Sequence, residues 1–472
     1  MTLPPAEEAG ERRANSHNVL DVAFDSELGK SKGLFCMPHH VHKASIPGSL
    51  NGLILEPHLG DDDGRVYFLR RGTFFLGKID DTDAFWNACP QVDEKILETS
   101  LRECSDCNKF AQVSPQQDAD ILSLATYPHQ ASTLGTLASK HSMAPHDPTR
   151  TLSPRQSRVV GALLGLHAGD SLGATLEFES HAAIASRYPN GLRQMVGGGP
   201  FGWPAGHATD DTDMARGVLL AYRDAKPGED VARLAGDNFL KWRHGEWPGR
   251  TPGSWPVDIG LATATGLDRY CESGDPDRAG AGEGSAGNGS LMRCLPTGLF
   301  QPDGEKLIEE SVRISGVTHD DRRCTVSCAA YNAIVAELIN GTPADDAVRA
   351  GEAVAARLEN GHDGLVHAAM ATGRRVRVAG MAQHGPPPEM GGRCSGYVLE
   401  TLAVAVAAVL DDRGLEDVLV DVVRIGRDTD TNAAVAGGLL GARDGEDAIP
   451  WAWREKLQFG DEFREIALAL TK

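Results

Sequence analysis

The sequence predicts an all-α domain preceded by a small α+β extension, and a change in the pattern of apolar and small residues along the chain supports this fold class. From residue 156 onward, apolar and small residues recur with helical spacing between Gly- and Pro-rich loops, and strand patterns are scarce. Before that point, strand and helix patterns are mixed. We therefore predict an α+β extension over residues 1–128, a linker over 129–154 and the helical domain over 155–472.

Three stretches define the extension and its end. RVYFL (65–69) and TFFLGKI (73–79) flank an RRG turn, which predicts a β-hairpin. VDEKILETSLREC (92–104) carries Ile96, Leu97 and Leu101 with the spacing of one helical face. The next segment, 129–154, is rich in Ser, Thr, Ala and Pro and has weak periodicity, which indicates a linker.

Small residues mark the predicted helices of the second domain. SRVVGALLGLHAGDSLGA places glycine at every fourth position, at Gly161, Gly165, Gly169 and Gly173. On a helix this spacing forms a stripe without side chains, which predicts close approach of another backbone or a break near a site. Residues 324–339, 396–410 and 431–442 are also predicted to be helices rich in small residues. Function is then expected in the loops between tightly packed helices.

Composition excludes several classes of function. The 472 residues carry a formal net charge of −20, which argues against a nucleic-acid partner bound through broad basic patches. Nine cysteines without a dense framework favour a reducing, cytoplasmic setting. The first 18 residues lack an apolar core, and no apolar run approaches membrane-spanning length, so we expect neither a signal peptide nor a membrane partner.

Two acidic clusters precede helical runs. HATDDTDMAR (207–216) contains three acids and two threonines within five residues, and GRDTDTNAAVAG repeats the pattern far downstream from Gly426. One interpretation is that these residues only cap helices, since Thr and Asp are favoured there. A calcium loop does not fit the second cluster, because its sixth and twelfth positions from Asp428 are Ala433 and Leu439 instead of Gly and Glu.

The other interpretation is a shared metal centre. Carboxylates that lie so close together repel one another unless a cation neutralises them. If the two clusters face each other across a helical bundle, their oxygen ligands suit hard cations such as Mg²⁺, Mn²⁺ or Ca²⁺ and are numerous enough for two ions. The candidate metal ligands are Thr209, Asp210, Asp211, Asp428, Asp430 and Thr431.

A glycine-rich loop separates the two clusters. GAGEGSAGNGSLMR (280–293) ends in Asn288, Ser290 and Arg293. Such loops let backbone N–H groups approach phosphate oxygens, although a plain solvent loop stays an open interpretation. The run lacks the Gly and Lys positions of a P-loop, so ATP chemistry is not predicted.

Together these motifs resemble an ordered set found in the ADP-ribosylglycohydrolase family. The set comprises GLHAGDSLGATLEF, TDDTDMA, GNGSLMR, VTHDD and GRDTDTNAAVAGGLLGA, and it covers roughly residues 156–470. The resemblance implies an all-α enzyme with two Mg²⁺ or Mn²⁺ ions. It also implies hydrolysis of the bond between ADP-ribose and a modified protein side chain, with arginine expected ahead of serine.

The resemblance also implies roles for individual residues. The six acids and threonines of the two clusters would be the metal ligands. Glu177 and Asp211 would be catalytic, with carboxylates assisting proton transfer and stabilising positive charge on the ribose. Asp213 departs from the residues usual at its position and is interpreted as a supporting or helix-start acid. The expected substrate-binding residues are Asp170, Asn288, Gly289, Ser290, His319 and Tyr397.

Two of these assignments have structural alternatives. His319 matches a histidine of the substrate cleft, but a buried core or helix-cap histidine is equally compatible with the sequence. Tyr397 is a candidate for stacking on adenine, and a core aromatic residue is the alternative.

The extension lies outside the resemblance and leaves several alternatives open. Cys36, His39, Cys104 and Cys107 have the C-x-x-H and C-x-x-C spacings of zinc ligands, but ordinary cysteines are favoured because the pairs are far apart.

The alternative to a hydrolase acting on an ADP-ribosylated protein is an immunity-type binding protein. Its extension would sequester an ADP-ribosyltransferase toxin, with or without hydrolysis.

Overall fold

The computed structural model describes residues 152–472 together with four strands of the extension. The strands are β1 (His42–Ala44), β2 (Leu53–Pro57), β3 (Arg65–Arg70) and β4 (Thr73–Lys78). They form an antiparallel sheet in the order β1-β2-β3-β4, and Phe68 pairs with Phe75 across the last hairpin. The hairpin predicted from RVYFL and TFFLGKI is thereby confirmed. The predicted helix over 92–104 and the cysteines weighed as zinc ligands lie outside the described residues.

The chain divides into two compact units, Met1–Met143 and Ala144–Lys472. Residues 152–472 of the second unit are helical, as predicted for this domain. Their α-helices are α1 (Pro154–Gly173), α2 (His181–Arg187), α3 (Asp210–Asp224), α4 (Val231–Arg243), α5 (Leu261–Ser273), α6 (Leu295–Phe300), α7 (Gly304–Gly316), α8 (Arg322–Ile339), α9 (Ala344–Glu359), α10 (Leu365–Arg375), α11 (Val378–His384), α12 (Val398–Val409), α13 (Leu415–Ile425), α14 (Thr429–Asp444), α15 (Trp451–Arg454) and α16 (Gly460–Leu470).

The first helix of this unit begins with a complete capping box. The Ser153 hydroxyl accepts from the backbone N–H of Gln156, and the Gln156 side chain accepts from the backbone N–H of Ser153. Pro154 occupies the first helical position, where its fixed φ favours a helix start. From Val159 to Gly173 every residue of α1 is buried, so α1 runs through the core.

Helices α1 and α14 are in backbone contact along the glycine stripe. A Cβ atom added to Gly165 would meet the carbonyl of Gly437, and one added to Gly437 would meet the carbonyl of Gly165, each closer than 3.0 Å. The same holds for Gly169 against Ala433. Only glycine permits this approach. The close contact predicted from the four-residue glycine period is therefore confirmed, and α14 is the partner.

This packing brings three parts of the chain together. The C-terminal end of α1, the start of α3 and the start of α14 meet at one end of the α1–α14 pair, and a Cβ on Gly173 would lie 2.5 Å from the Cα of Asp430. Both acidic clusters therefore lie at helix N-termini on one face of the bundle. In the described part of the chain, no helix combines the length and apolarity that a bilayer crossing needs.

Candidate metal centre and substrate cleft

The acids of the two clusters converge although they are far apart in sequence. Asp170, Asp211 and Asp430 each place a carboxylate oxygen within 4.8 Å of the other two, and all three residues are buried. Glu177 and Asp258 form a second such group with Asp430. Asp430 belongs to both groups, so the two sets of oxygens are continuous. The arrangement suits one or two hard cations.

Buried carboxylate oxygens without partners test whether cations fit this site. In residues 152–472, one oxygen of each of four acids is buried and makes no hydrogen bond to protein. A buried carboxylate without a partner is costly, so each of these oxygens calls for a ligand. The oxygens are Asp170 Oδ1, Glu177 Oε2, Asp211 Oδ1 and Asp430 Oδ1. The donor set is entirely oxygen, which matches magnesium, manganese or calcium and not zinc.

The pKa values of the clustered acids also indicate a site for cations. Burial, reinforced by the charges of Asp258, Asp428 and Asp170, raises the pKa of Glu177 to about 9. Burial and neighbouring acids also raise the pKa values of Asp210, Asp211 and Asp430 well above the usual range. Without a cation, burial and mutual repulsion therefore favour the protonated forms of these groups. A bound divalent ion would reverse this effect, because it stabilises the charged form of each ligand.

Asp170 organises the start of α3 from the end of α1. Its Oδ2 accepts from the backbone N–H groups of Thr209 (3.1 Å) and Thr212 (3.2 Å), and also from the Thr212 hydroxyl. Burial raises the pKa of Asp170 to about 6, against the opposing effect of these hydrogen bonds. The Thr209 hydroxyl in turn donates to Asp211 Oδ2 at 3.0 Å. Asp170 therefore holds the first cluster in place, while its Oδ1 has no protein partner.

An open cleft of about 470 Å³ borders this centre. The predicted residues that line it are Glu177, Asp210, Asn288, Gly289, His319, Asp428, Asp430 and Thr431. The predicted residues that do not line it are Asp170, Thr209, Asp211, Ser290 and Tyr397. Of this second group, Asp170, Thr209 and Asp211 lie in the buried layer beneath the cleft floor.

The glycine-rich loop forms one wall of the cleft. Asn288 joins it to the second acid cluster, since its side-chain N–H group donates to Asp428 Oδ2 (2.7 Å) and to the Thr401 hydroxyl (3.0 Å). Gly289 lines the cleft with its backbone. The Ser290 hydroxyl is buried behind the loop, where it accepts from the Ser315 hydroxyl at 2.9 Å.

The remaining predicted residues differ in their positions. His319 is buried and lines the cleft beside the glycine-rich loop. Tyr397 pairs through its backbone with Gly287, which fastens the loop to the start of α12. The ring of Tyr397 lies under the Arg323 guanidinium, 5.8 Å from its centroid.

Among the cleft residues that the prediction missed, two carry charged side chains. Asp258 lies in the loop before α5, and burial together with the charge of Asp428 raises its pKa to about 6. Its local sequence, WPVDIG, contains one acid among apolar residues and carries no motif signal. Arg427 lines the cleft next to Asp428 and adopts a positive φ of 72°. Its position directly before the second cluster was a signal that could have identified it.

Asp213, the last acid of the first cluster, faces a different environment. It accepts hydrogen bonds from the indole N–H groups of Trp242 (2.9 Å) and Trp247 (2.7 Å). Burial raises its pKa to about 7, against the effect of both indoles. Since Trp242 belongs to α4, Asp213 anchors the first turn of α3 to its neighbour.

The fold and the acidic centre agree with a comparison against known families. The family model described as ADP-ribosylglycohydrolase matches residues 151–472. The match spans more than half of the chain and contains every residue of the centre and the cleft. The chain therefore belongs to the ADP-ribosylglycohydrolase family, and its enzyme class is that of a glycohydrolase.

Similar proteins support the same assignment. The chain is 31% identical over 366 residues to "ADP-ribosylarginine hydrolase Tri1" of Pseudomonas putida (strain GB-1), covering 77% of this chain and 91% of the relative. It is 34% identical over 316 residues to "ADP-ribosyl-[dinitrogen reductase] glycohydrolase" of Rhodospirillum rubrum, covering 66% and 92%. A solved structure, "ADP-ribosylglycohydrolase-related protein complex", aligns with a TM-score of 0.54 at 29% identity, covering 68% of this chain and 98% of that one.

Proposed function

We propose that this protein is a metal-dependent hydrolase that removes ADP-ribose from arginine side chains of modified proteins. The observation that supports this most directly is the group of buried carboxylate oxygens without partners at the cleft floor. One of the similar proteins named above is an ADP-ribosylarginine hydrolase, which favours arginine over serine as the modified residue.

Two Mg²⁺ or Mn²⁺ ions are the proposed cofactors. The proposed ligands are Thr209, Asp210, Asp211, Asp428, Asp430 and Thr431. Bound there, the ions would supply Lewis-acid activation of water and would orient the ribose hydroxyls. Asp170 keeps Thr209 and the first turn of α3 in position through three hydrogen bonds. Asn288 holds Asp428 through its amide.

Glu177 is the proposed proton-transfer residue. Hydrolysis adds a hydroxyl from water to the anomeric carbon and a proton to the departing guanidine nitrogen. The Glu177 carboxyl lines the cleft, and one of its oxygens has no protein partner, so it is free to exchange a proton with water or the leaving group. The surrounding acids, including Asp211, stabilise positive charge that develops on the ribose.

Metal-ligand variants test this proposal. We expect Asp210→Asn and Asp428→Asn to reduce Mg²⁺-dependent release of ADP-ribose from an ADP-ribosyl-arginine protein by at least about 100-fold, since a Lewis-acid cation supplies several kcal/mol of catalysis. Asp447→Asn, in an acid whose side chain is 97% exposed, is the matched control. Full activity in EDTA would contradict the metal dependence, and preferential cleavage of an ADP-ribosyl-serine protein would contradict the arginine assignment.

A second proposed function is sequestration of an ADP-ribosyltransferase by the extension. The match to the Pseudomonas putida relative covers 366 residues, so it begins before the family domain and includes part of the extension. Acidic residues outnumber basic ones in residues 1–150, which suits a basic protein surface. This second function is compatible with hydrolysis in the same chain.

A further inference from the structure

A buried arginine lies directly beneath the glycine-rich wall of the cleft. Arg293 is fully buried, and its guanidinium lies over the ring of Phe239 at 4.5 Å. It donates from Nη1 to the carbonyl of Gly289 at 2.7 Å and from Nη2 to the hydroxyl of Thr318 at 2.7 Å. A buried guanidinium is costly, so these charge-assisted bonds are strongly held. Arg293 therefore connects the cleft wall to Thr318.

Thr318 is in turn hydrogen-bonded to His319. The Thr318 hydroxyl lies 2.7 Å from His319 Nδ1. Arginine can only donate, so the Thr318 oxygen is the acceptor in its bond with Arg293. Thr318 is fully buried, and Nδ1 is the acceptor placed to receive its hydroxyl hydrogen. If Nδ1 carried a proton, that hydroxyl hydrogen would be buried without a partner, which is unfavourable.

The other ring nitrogen of His319 faces the cleft wall. A Cβ on Gly287 would lie 3.4 Å from Nε2, and one on Gly289 would lie 2.8 Å from Cε1, so the imidazole edge packs against these glycines. Within residues 152–472, Nε2 makes no hydrogen bond to protein, and His319 lines the cleft. Nε2 is thus the atom of His319 that is available to a bound molecule.

We propose that Arg293 and Thr318 are positioning residues that hold His319 as the neutral Nε2–H tautomer, which presents a hydrogen-bond donor to a diphosphate or ribose oxygen of the substrate. This inference rests on the proposed function for the identity of the ligand. The tautomer itself follows from the bonds among Arg293, Thr318 and His319. His319 then acts as a fixed donor and does not transfer protons.

The charge environment supports a neutral ring. Burial, with the Arg293 charge adding to it, lowers the pKa of His319 to about 3, while Asp321 acts in the opposite direction. The donor role is therefore constant over the whole physiological pH range. Acid–base exchange is left to the carboxylates that line the cleft.

Nuclear magnetic resonance of the full chain, labelled with ¹⁵N in histidine, tests the tautomer directly in the presence of Mg²⁺. His319→Gln identifies the signal by its disappearance. We expect the long-range ¹H–¹⁵N pattern of the Nε2–H tautomer, unchanged between about pH 6 and 8. A pattern of the Nδ1–H tautomer or of a charged imidazolium would overturn the inference, whether or not the protein hydrolyses ADP-ribosylated substrates.

Substitutions at Thr318 test whether its hydroxyl sets the tautomer of His319. Thr318→Val keeps the shape of the side chain and removes the hydroxyl, so it should release the tautomer and weaken binding of free ADP-ribose by about tenfold, as expected for one hydrogen bond. Thr318→Ser should keep the Nε2–H pattern and bind more tightly than Thr318→Val in calorimetry. An unchanged tautomer in Thr318→Val would show that the hydroxyl does not position the ring.

Substitutions at His319 keep the inference testable if Thr318→Val does not fold. A glutamine amide can place an N–H group near the position of Nε2, whereas an asparagine amide reaches only the position of Nδ1. We expect His319→Gln to retain ADP-ribose binding about tenfold better than His319→Asn. Equal losses would contradict the Nε2–H donor. If the wild-type protein binds no ADP-ribose, the proposed function fails and the tautomer measurement still stands.

Discussion

At the scale of single residues, backbone strain flanks the acidic centre. Phe178 and Arg427 adopt positive φ values of 65° and 72°, a region that favours glycine. The two residues are paired, since the Phe178 N–H donates to the Arg427 carbonyl (2.7 Å) and the Arg427 N–H donates to the Glu179 carbonyl (2.7 Å). Each adjoins a cleft acid, Glu177 or Asp428. These hydrogen bonds therefore join the two backbone segments that carry the acids.

This strain predicts the effect of glycine at position 427. We expect Arg427→Gly to be more stable than Arg427→Ala by about 1 kcal/mol, because a Cβ in the left-handed region costs roughly that much. Both variants lose the same charge, so their difference isolates the backbone. Chemical denaturation with a common m-value measures it. Equal stability would show that the surrounding structure absorbs the positive φ without cost.

The sequence could identify most of the acidic centre but not its supporting residues. Thr209 to Asp211 and Asp428 to Thr431 stand in dense clusters, and density is visible in a linear sequence. Asp258 is a lone acid in a loop, and only the fold brings it to Glu177 and Asp430. The bond from Arg293 to Thr318 joins residues 25 positions apart. No spacing rule predicts that pairing, because it depends on how α7 packs beneath the loop.

At the scale of elements, the α1–α14 contact depends on the absence of side chains. We expect Gly169→Ala to destabilise the protein by about 3 kcal/mol, because its Cβ would collide with the carbonyl of Ala433 and neither helix backbone can yield. Gly316→Ala is the matched control. It lies at the end of α7 with no atom within 4 Å of the added Cβ, and it should be neutral or stabilising by up to about 1 kcal/mol.

Thermal and urea unfolding of the two glycine variants measure this difference. Similar stability of Gly169→Ala and Gly316→Ala would show that α1 and α14 can separate without loss. The comparison also tests whether the acidic centre depends on the contact, since α14 carries Asp430. Mg²⁺-dependent activity should fall together with stability in Gly169→Ala only.

Helical periodicity predicted the elements of the second domain better than their ends. The patterns over 324–339 and 431–442 correspond to α8 (Arg322–Ile339) and α14 (Thr429–Asp444). Each helix begins before its apolar pattern, since Asp321 caps α8, while Asp428 is the N-cap residue of α14 and Asp430 lies in its first turn. Apolar periodicity reports the buried face, whereas capping groups determine the ends. Strands β1 and β2 were missed because they are short and lack a clear alternating pattern.

At the scale of the whole molecule, the acidic centre makes stability depend on pH and metal. In the metal-free protein the pKa is raised to about 6 for Asp258 and about 9 for Glu177. The unfolded chain loses these protons near pH 4, so folding takes up protons above that pH. The stability that these two groups contribute to the metal-free protein is complete below about pH 4 and is lost as pH rises toward these values.

We expect the melting temperature in EDTA to fall by on the order of 5 °C between about pH 5 and 8, and to fall less with Mg²⁺. The ion binds the ionised carboxylates and offsets their repulsion, so the gain from Mg²⁺ should grow with pH. Glu177→Gln should flatten the EDTA curve, whereas the exposed Asp447→Asn should leave it unchanged. An EDTA curve that is flat or rises with pH would contradict this account.

The division of the chain into two units leads to the last prediction. Every residue of the acidic centre and the cleft lies within Ala144–Lys472, which forms a compact unit of its own. Deleting residues 1–143 should therefore leave hydrolysis of an ADP-ribosyl-arginine peptide within about twofold of the full chain, a change of less than 0.5 kcal/mol or so. The same deletion should abolish binding of an ADP-ribosyltransferase, because the acidic extension is the proposed contact surface.

Full-length Asp210→Asn provides the complementary control, since it should lose hydrolysis and still bind the transferase. Transferase pull-down and peptide hydrolysis are then measured on the full-length, truncated and Asp210→Asn proteins. The truncated protein should keep hydrolysis and lose binding, whereas Asp210→Asn should keep binding and lose hydrolysis. Equal transferase binding by the truncated and full-length proteins would assign the contact to the helical domain. A sharp drop in the melting temperature of the truncated protein, with no partner lost, would show instead that the extension stabilises the hydrolase. Only retained hydrolysis together with lost transferase binding in the truncated protein agrees with an enzyme that also binds the transferase through its extension.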